Sequence, residues 1–159
     1  MRITRIHYNG SIATGDTLTF PPASSNHLIR VLRCRAGAAV TVFTGSGGEF
    51  KATLVNEDPK SAIVRIDGFI DINRESPLRI VLLQGLSRSE HMDTSVQKAT
   101  ELGVAEIMPV ICERSMILRK DRARKKHERW QHIAASACEQ SGRNVLPVLH
   151  EATAFNRAI

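Results

Sequence analysis

The chain has 159 residues, 42% of them hydrophobic and 24% charged, with a formal net charge of +6. This is the balance of a folded protein of one domain, or of two small ones, and it excludes a disordered tail, a collagen-like repeat and a coiled-coil rod. No apolar run reaches the roughly 18 residues of a membrane helix, and the N-terminus lacks the apolar core of a signal peptide; the expectation is a cytoplasmic protein without a membrane partner.

From the N-terminus, residues 1–70 read as β. The runs Arg2–Tyr8, Thr17–Phe20, Ala39–Phe43, Phe50–Val55 and Ala62–Phe69 alternate or are rich in β-formers. They are separated by Asn9-Gly10, Gly15-Asp16, Pro21-Pro22, Gly45–Gly48 and Asp58-Pro59, which predicts a small barrel. Within it, Ser24–Arg33 reads as one short helix, with Ser25 or Asn26 as N-cap and Leu28, Val31 and Leu32 at helical spacing. The glycines at 45–48 precede a β pattern rather than a helix, so they mark a hairpin turn and not a phosphate loop.

Residues 71–77 are polar, end in proline and read as a linker. Beyond them the period changes. Leu78–Leu83 and Ala105–Ile111 are apolar runs typical of buried parallel strands, and Leu146–Leu149 begins a third. Between them lie a helix opened by the capping-box pattern Ser87…Glu90 and stopped by Gly103, and a long helix over Asp121–Ser141 stopped by Gly142. A further helix is expected to start at Phe155. Strand, helix, strand, helix, strand implies an α/β half with right-handed crossovers. Cys34, Cys112 and Cys138 are odd in number and widely spaced, which fits buried reduced thiols rather than a disulfide framework or a metal site.

Charge is concentrated in one segment. Between Arg119 and Arg129 there are seven basic residues (Arg119, Lys120, Arg122, Arg124, Lys125, Lys126, Arg129) against Asp121 and Glu128, a net of +5 out of the chain's +6. A polyanion partner would select such a stretch by counterion release; a solvated helix face has the same composition. Arg30 and Arg33, three apart with His27 and Asn26 beside them, suit phosphate contacts or an unpartnered basic face. With 4% aromatic residues there is little for a platform that stacks a whole single strand. In the second half four polar groups follow strands or close helices: Gln84–Arg88, Lys98 with Glu101, Glu113–Ser115 and Glu139–Arg143. The C-terminal ends of parallel strands are where such sheets bind ligands, and these groups are expected there.

Four segments, in this order, carry a resemblance over essentially the whole chain: His27-Leu28-Ile29-Arg30-Val31-Leu32-Arg33, Gln97-Lys98-Ala99-Thr100-Glu101-Leu102-Gly103-Val104, Pro109 through Glu113-Arg114-Ser115, and Ala137-Cys138-Glu139-Gln140-Ser141-Gly142-Arg143. The chain resembles the bacterial ribosomal RNA small subunit methyltransferase E family, which methylates ring nitrogen 3 of a uridine with S-adenosylmethionine. The resemblance implies a PUA-like RNA-binding β-barrel over residues 1–70, a linker over 71–77 and, over 78–159, the N-terminal part of a Rossmann-like parallel α/β SPOUT domain. It also implies a homodimer when complete, with the small ribosomal subunit as partner and no metal. The family's trefoil knot, whose Gly-Pro-Glu-Gly-Gly loop and Leu-Gly-rich segment hold the methyl donor, has no counterpart up to Ile159. The cofactor site is therefore expected outside these residues, and the chain alone is expected to be inactive. Glu101, Arg114 and Arg143 are the candidate catalytic residues, with Glu139 as a possible orienter. His27, Arg30, Arg33, Arg88, Lys98, Arg119, Lys120, Arg122, Arg124, Lys125 and Lys126 are the candidate RNA contacts. The competing expectation is a non-catalytic RNA-binding module.

Overall fold

A computed structural model describes residues 3–113, 115 and 120–158, without the side chains of Lys120 and Asp121. The fold is mixed α/β and divides into two compact units, Met1–Arg74 and Glu75–Ile159.

The first unit holds β1 (Thr4–His7), β2 (Thr17–Thr19), α1 (Pro22–Asn26), a π-helical turn over His27–Val31, β3 (Ala39–Phe43), β4 (Glu49–Leu54) and β5 (Ile63–Ile70). They form one curled sheet of order β1-β3-β4-β5-β2, with β1 parallel to β3 and every other pair antiparallel. The concave side encloses Ile6, Phe20, Val40, Val42, Leu54 and Ile66, and Leu28 of the π-helical turn fills it with no exposed surface. The 45–48 segment is the β3–β4 hairpin turn, with Gly45, Gly47 and Gly48 all at positive φ.

Ser25 does not cap a helix. Pro21-Pro22 sets the start earlier, with Pro22 in the first turn where its fixed φ suits a helix. The buried Ser25 hydroxyl instead donates to Phe20 O (3.0 Å) and accepts from Ala62 N–H (2.9 Å), tying the end of β2 to the start of β5. The single helix expected over Ser24–Arg33 widens after Asn26, where Leu32 N–H bonds His27 O across five residues, and it ends before Arg33 at φ 55°. Glu49 is buried beside Arg5 (2.5 Å) and Arg74 (3.1 Å), and Arg5 also lies 5.1 Å from the Phe43 ring centroid. Burial pushes the Glu49 carboxyl up, but the two guanidiniums outweigh it and hold it below the ordinary range.

The second unit holds β6 (Val81–Gly85), α2 (Ser89–Glu101), β7 (Glu106–Ile111), α3 (Lys120–Ser141), β8 (Val148–Leu149), β9 (Thr153–Ala154) and a 3-10 turn over Phe155–Arg157 where a helix was expected. All pairings are parallel, and β8 and β9 both lie along β7, one after the other, like one interrupted strand. Regular pairing of the first strand begins at Val81↔Glu106, so the apolar residues before it, including Leu78, stay outside the sheet. The capping box does not form: Arg88 is the N-cap of α2 without a side-chain bond, and the Ser87 hydroxyl donates to Arg88 O instead. Both predicted helix stops hold, with Gly103 at φ 91° and Gly142 at φ 87°.

The crossovers step across the sheet in the same direction, and right-handed connections then place both helices on one face. Met92, Val96 and Ala99 of α2 and Trp130 and Ala134 of α3 accordingly share one core with Ile107. On the opposite face Val81, Leu83 and Val148 remain exposed. Of the cysteines only Cys138 is buried; Cys34 is half-buried, and Cys112 is exposed because it lies just past the end of β7.

Candidate nucleic-acid interface

The basic segment falls on the first half of α3. Trp130, Ala134, Ala137 and Cys138 turn inward, while Arg122, Arg124 and Lys125 are exposed and Lys126 is half-buried. Arg124 pairs loosely with Glu128, one turn on, at 3.5 Å. Arg122, Lys125 and Lys126 make no ion pair among the described residues. Arg129 is used differently. Its Nε (3.0 Å) and Nη2 (2.7 Å) both donate to Asp93 Oδ2, which fastens α3 to α2. Arg88 is exposed at the start of α2. Arg114, Arg119 and the side chain of Lys120 lie outside the described residues.

In the first unit Arg30 and Arg33 are exposed and His27 is half-buried. The three-residue repeat that would stack the two arginines is an α-helical property. The π-helical turn and the left-handed Arg33 do not keep it.

The four polar groups of the second unit do not share one edge. A crossover helix runs back against its strands, so its first turn lies near their C-terminal ends and its last turn near their N-terminal ends. Gln84–Arg88 spans the end of β6 and the turn after it, and Glu113 and Ser115 lie just past β7, whereas Lys98, Glu101 and Glu139–Arg143 close α2 and α3 at the opposite edge. There Arg143 is buried. Its Nε (2.8 Å) and Nη2 (2.7 Å) meet Glu75 Oε2, and its Nη1 donates to Thr100 O (2.8 Å) and Val104 O (3.0 Å). Glu75 also accepts from the N–H groups of Asn144 and Val145, both at 3.3 Å. The arrangement is a clamp between the linker, the end of α2 and the segment after α3. Glu101 accepts from Lys98 (2.7 Å) and Gln97 (2.9 Å), and chiefly the Lys98 bond holds its carboxyl below the ordinary range. That is the wrong direction for a base working near neutral pH.

The crevice between the C-terminal ends of β6 and β7 is where an open sheet of this kind takes a ligand. Its backbone groups are already engaged: Leu86 N–H donates to Val110 O (2.8 Å), Cys112 N–H to Ser115 Oγ (3.0 Å), and that hydroxyl to Leu86 O (3.3 Å). Among the described residues, these crevice groups thus bond one another.

Sequence reasoning missed the clamp partner Glu75, because a lone glutamate in a polar linker carries no signal. It also missed a polar cavity of about 520 Å³ on the first unit, beside Phe50 and Phe69.

Against known proteins, the model of an RNA methyltransferase domain matches residues 74–159, and that of an RNA methyltransferase PUA domain matches residues 20–67. Ribosomal RNA small subunit methyltransferase E of Bacillus subtilis is 31% identical over 93% of this chain, and its Buchnera aphidicola counterpart (strain APS) is 32% identical over 92%. The chain spans 58% of the length of either relative. Among solved structures, a methyltransferase of Legionella pneumophila with bound cofactor SAM aligns at a TM-score of 0.90, with 38% identity over 98% of this chain and 64% of that one. Ribosomal RNA small subunit methyltransferase E of Neisseria gonorrhoeae, bound to S-adenosyl methionine, aligns at 0.92, with 36% identity over 99% of this chain and 65% of that one. With its second unit matched from end to end, and with relatives of one name alongside, the chain belongs to the RNA methyltransferase family of ribosomal RNA small subunit methyltransferase E.

Proposed function

We propose that these residues serve methylation of ring nitrogen 3 of a uridine in small-subunit ribosomal RNA, with S-adenosylmethionine as methyl donor. In this reading they supply the RNA-docking surfaces and the scaffold of a SPOUT-class domain, and by themselves transfer no methyl group. The observation that carries it is the exposed cationic face of Arg122, Arg124 and Lys125 on α3 in a chain of this family. The inactivity rests on the internally satisfied crevice between β6 and β7.

The reaction requires loss of the imide proton at nitrogen 3 and a cation to offset charge developing on the ring oxygens. Arg114, which follows Glu113 in sequence, is the candidate for that cation. Arg143 and Glu101, at the other edge of the sheet, act as positioning residues that hold the end of α2. Arg30, Arg33, Arg88 and the α3 cations take phosphates, with His27, Lys98, Arg119 and Lys120 as flanking contacts. The homodimer and the cytoplasmic location belong to the same reading; no helix among the described residues is long and apolar enough to cross a membrane.

The test is the salt dependence of binding to a small-subunit RNA fragment. Each phosphate contact contributes about 0.9 to the slope of log K against log salt on a duplex. Substituting Arg122, Arg124 and Lys125 together with alanine should lower the slope by about two to three. An unchanged slope refutes the α3 assignment. Labelled methyl donor added to the same mixture should leave the RNA unlabelled, and incorporation would refute the inactivity. The RNA-binding module is the second reading, favoured by the same crevice; it requires salt-dependent RNA binding with no label incorporated at any donor or RNA concentration.

A further inference from the structure

The first unit carries an aromatic pair whose placement depends on a single irregularity. Along β4 and β5 the register runs Leu54↔Val64, Thr53↔Arg65, Ala52↔Ile66, and then jumps to Lys51↔Gly68. Asp67 is the extra residue of a β-bulge. Val64 and Ile66 point into the core, and unbroken alternation would turn Phe69 to the other side of the sheet. The inserted residue reverses this and sets Phe69 directly opposite Phe50, on the same side. The bulge is pinned by Asp67, which accepts from Thr53 Oγ1 (2.6 Å) and Arg65 Nε (3.0 Å).

The two rings lie 4.9 Å apart at 52°. Phe50 packs against the core, while Phe69 keeps 51% of its surface exposed. Gly48 lies against the Phe69 ring so closely that a Cβ there would sit 2.3 Å from Cζ, and its φ of +65° disfavours a side chain as well. The ring is thus seated on a glycine and flanked by a second ring, with its remaining surface in water. Beside it opens the cavity of about 520 Å³, bordered by Asn9, Ser11, Thr44 and Ser46. Thr44 Oγ1 and Ser46 Oγ share one hydrogen bond of 2.8 Å, which leaves further donor and acceptor capacity on the pair. None of the side chains described as lining this cavity is charged.

A fixed, half-exposed aromatic ring next to neutral donors and acceptors suits a flat heterocycle with a polar edge and is ill suited to a phosphate. We propose that Phe69, backed by Phe50 and Gly48, stacks one unpaired nucleobase of the RNA, whose edge meets the Asn9, Ser11, Thr44 and Ser46 groups. The low aromatic content of the sequence argues against a platform for a long single strand; one base at one ring needs no more than this. The inference rests on the RNA-docking reading above and adds to it a site that reads a base rather than the backbone.

Anisotropy titrations of a labelled single-stranded fragment of small-subunit ribosomal RNA, and of a fully paired duplex of the same length, test it. Base–aromatic stacking corresponds to a loss of about 5-fold or more per base on removal of the ring. Phe69→Ala should therefore bind the single strand at least about 5-fold more weakly at every salt concentration, with the salt slope unchanged, and should bind the duplex like the parent. Phe69→Trp, which keeps a stacking face, should retain the parent affinity, and its added indole emission should be quenched by the single strand. The inference is overturned if Phe69→Ala binds the single strand within 2-fold of the parent, or loses as much on the duplex. Absence of salt-dependent binding by the parent would overturn the RNA-docking reading, and this inference with it.

Discussion

Replacing Arg143 with alanine separates a structural clamp from a substrate contact. Arg143 is 6% exposed, and its guanidinium makes two bonds to Glu75 and two to the main-chain carbonyls of Thr100 and Val104. Removing one partner of a buried ion pair costs about 3–5 kcal/mol, because the other charge stays behind unpaired. Glu75 retains the two N–H groups of Asn144 and Val145, which softens the loss, while the two carbonyls lose a donor in a closed environment. The expected total is about 3–5 kcal/mol, a large part of the stability of a unit of this size, and each kcal/mol corresponds to about 4–8 °C in its midpoint. Trp130, the one tryptophan of the chain and 3% exposed, reports unfolding of the second unit by its fluorescence. Arg143→Lys, with a single charged donor group, should recover only part of the loss. If Arg143→Ala unfolds within about 1 kcal/mol of the parent while the matching change in a full-length relative abolishes methyl transfer, the clamp reasoning is refuted and the side chain belongs with the substrate.

Glu106 gives a pH dependence of the same unit. Its carboxyl is held below the ordinary range, first by the hydrogen bond from Arg79 and then by that from His150. A carboxyl with a lowered folded value adds stability above the ordinary pKa of about 4.3, and that stability is lost as pH falls through the folded value. The Trp130 midpoint should therefore drop once pH falls below about 4.3, and Glu106→Gln should flatten the drop; an unchanged profile would contradict this. Glu49→Gln should remove the buried charge that faces Arg5 and Arg74 and destabilise the first unit by up to about 3–5 kcal/mol, seen in the circular dichroism of its β structure. Asp93→Ala should cost under about 1 kcal/mol, since its partner Arg129 is mostly exposed, and should raise RNA affinity at low salt by releasing a cation. A loss of several kcal/mol would mean that the pair anchors the two helices.

Most elements were legible because their signal is local. Ala39–Phe43 alternates, the glycine run at 45–48 marks a turn, and Gly103 and Gly142 end their helices at positive φ. What escaped depends on partners distant in sequence. Val81 rather than Leu78 begins the strand because Glu106 is the first residue opposite it. Ser25 left the cap because Phe20 and Ala62 take its hydroxyl. The polar groups were placed on one edge because strand ends and helix ends were treated alike; the reversal of direction in each crossover separates them. The pairing of Phe69 with Phe50 was illegible because nothing about Asp67 in the sequence announces a bulge.

That reversal has a bearing on how kinship is read from a chain of this type. The strings Gln97–Val104 and Ala137–Arg143, which make the family recognisable, both close helices at the edge away from the crevice between the C-terminal ends of β6 and β7. They include Thr100, Val104 and Arg143 of the clamp. Such strings certify architecture rather than chemistry. A homologue could keep them intact after losing its reaction, and another could change its target base without altering them. In a mutational scan of a full-length relative, the matching positions in these strings should therefore register mainly as loss of folded protein, whereas those around the crevice and the Phe69 ring should register as loss of methylated RNA at normal abundance.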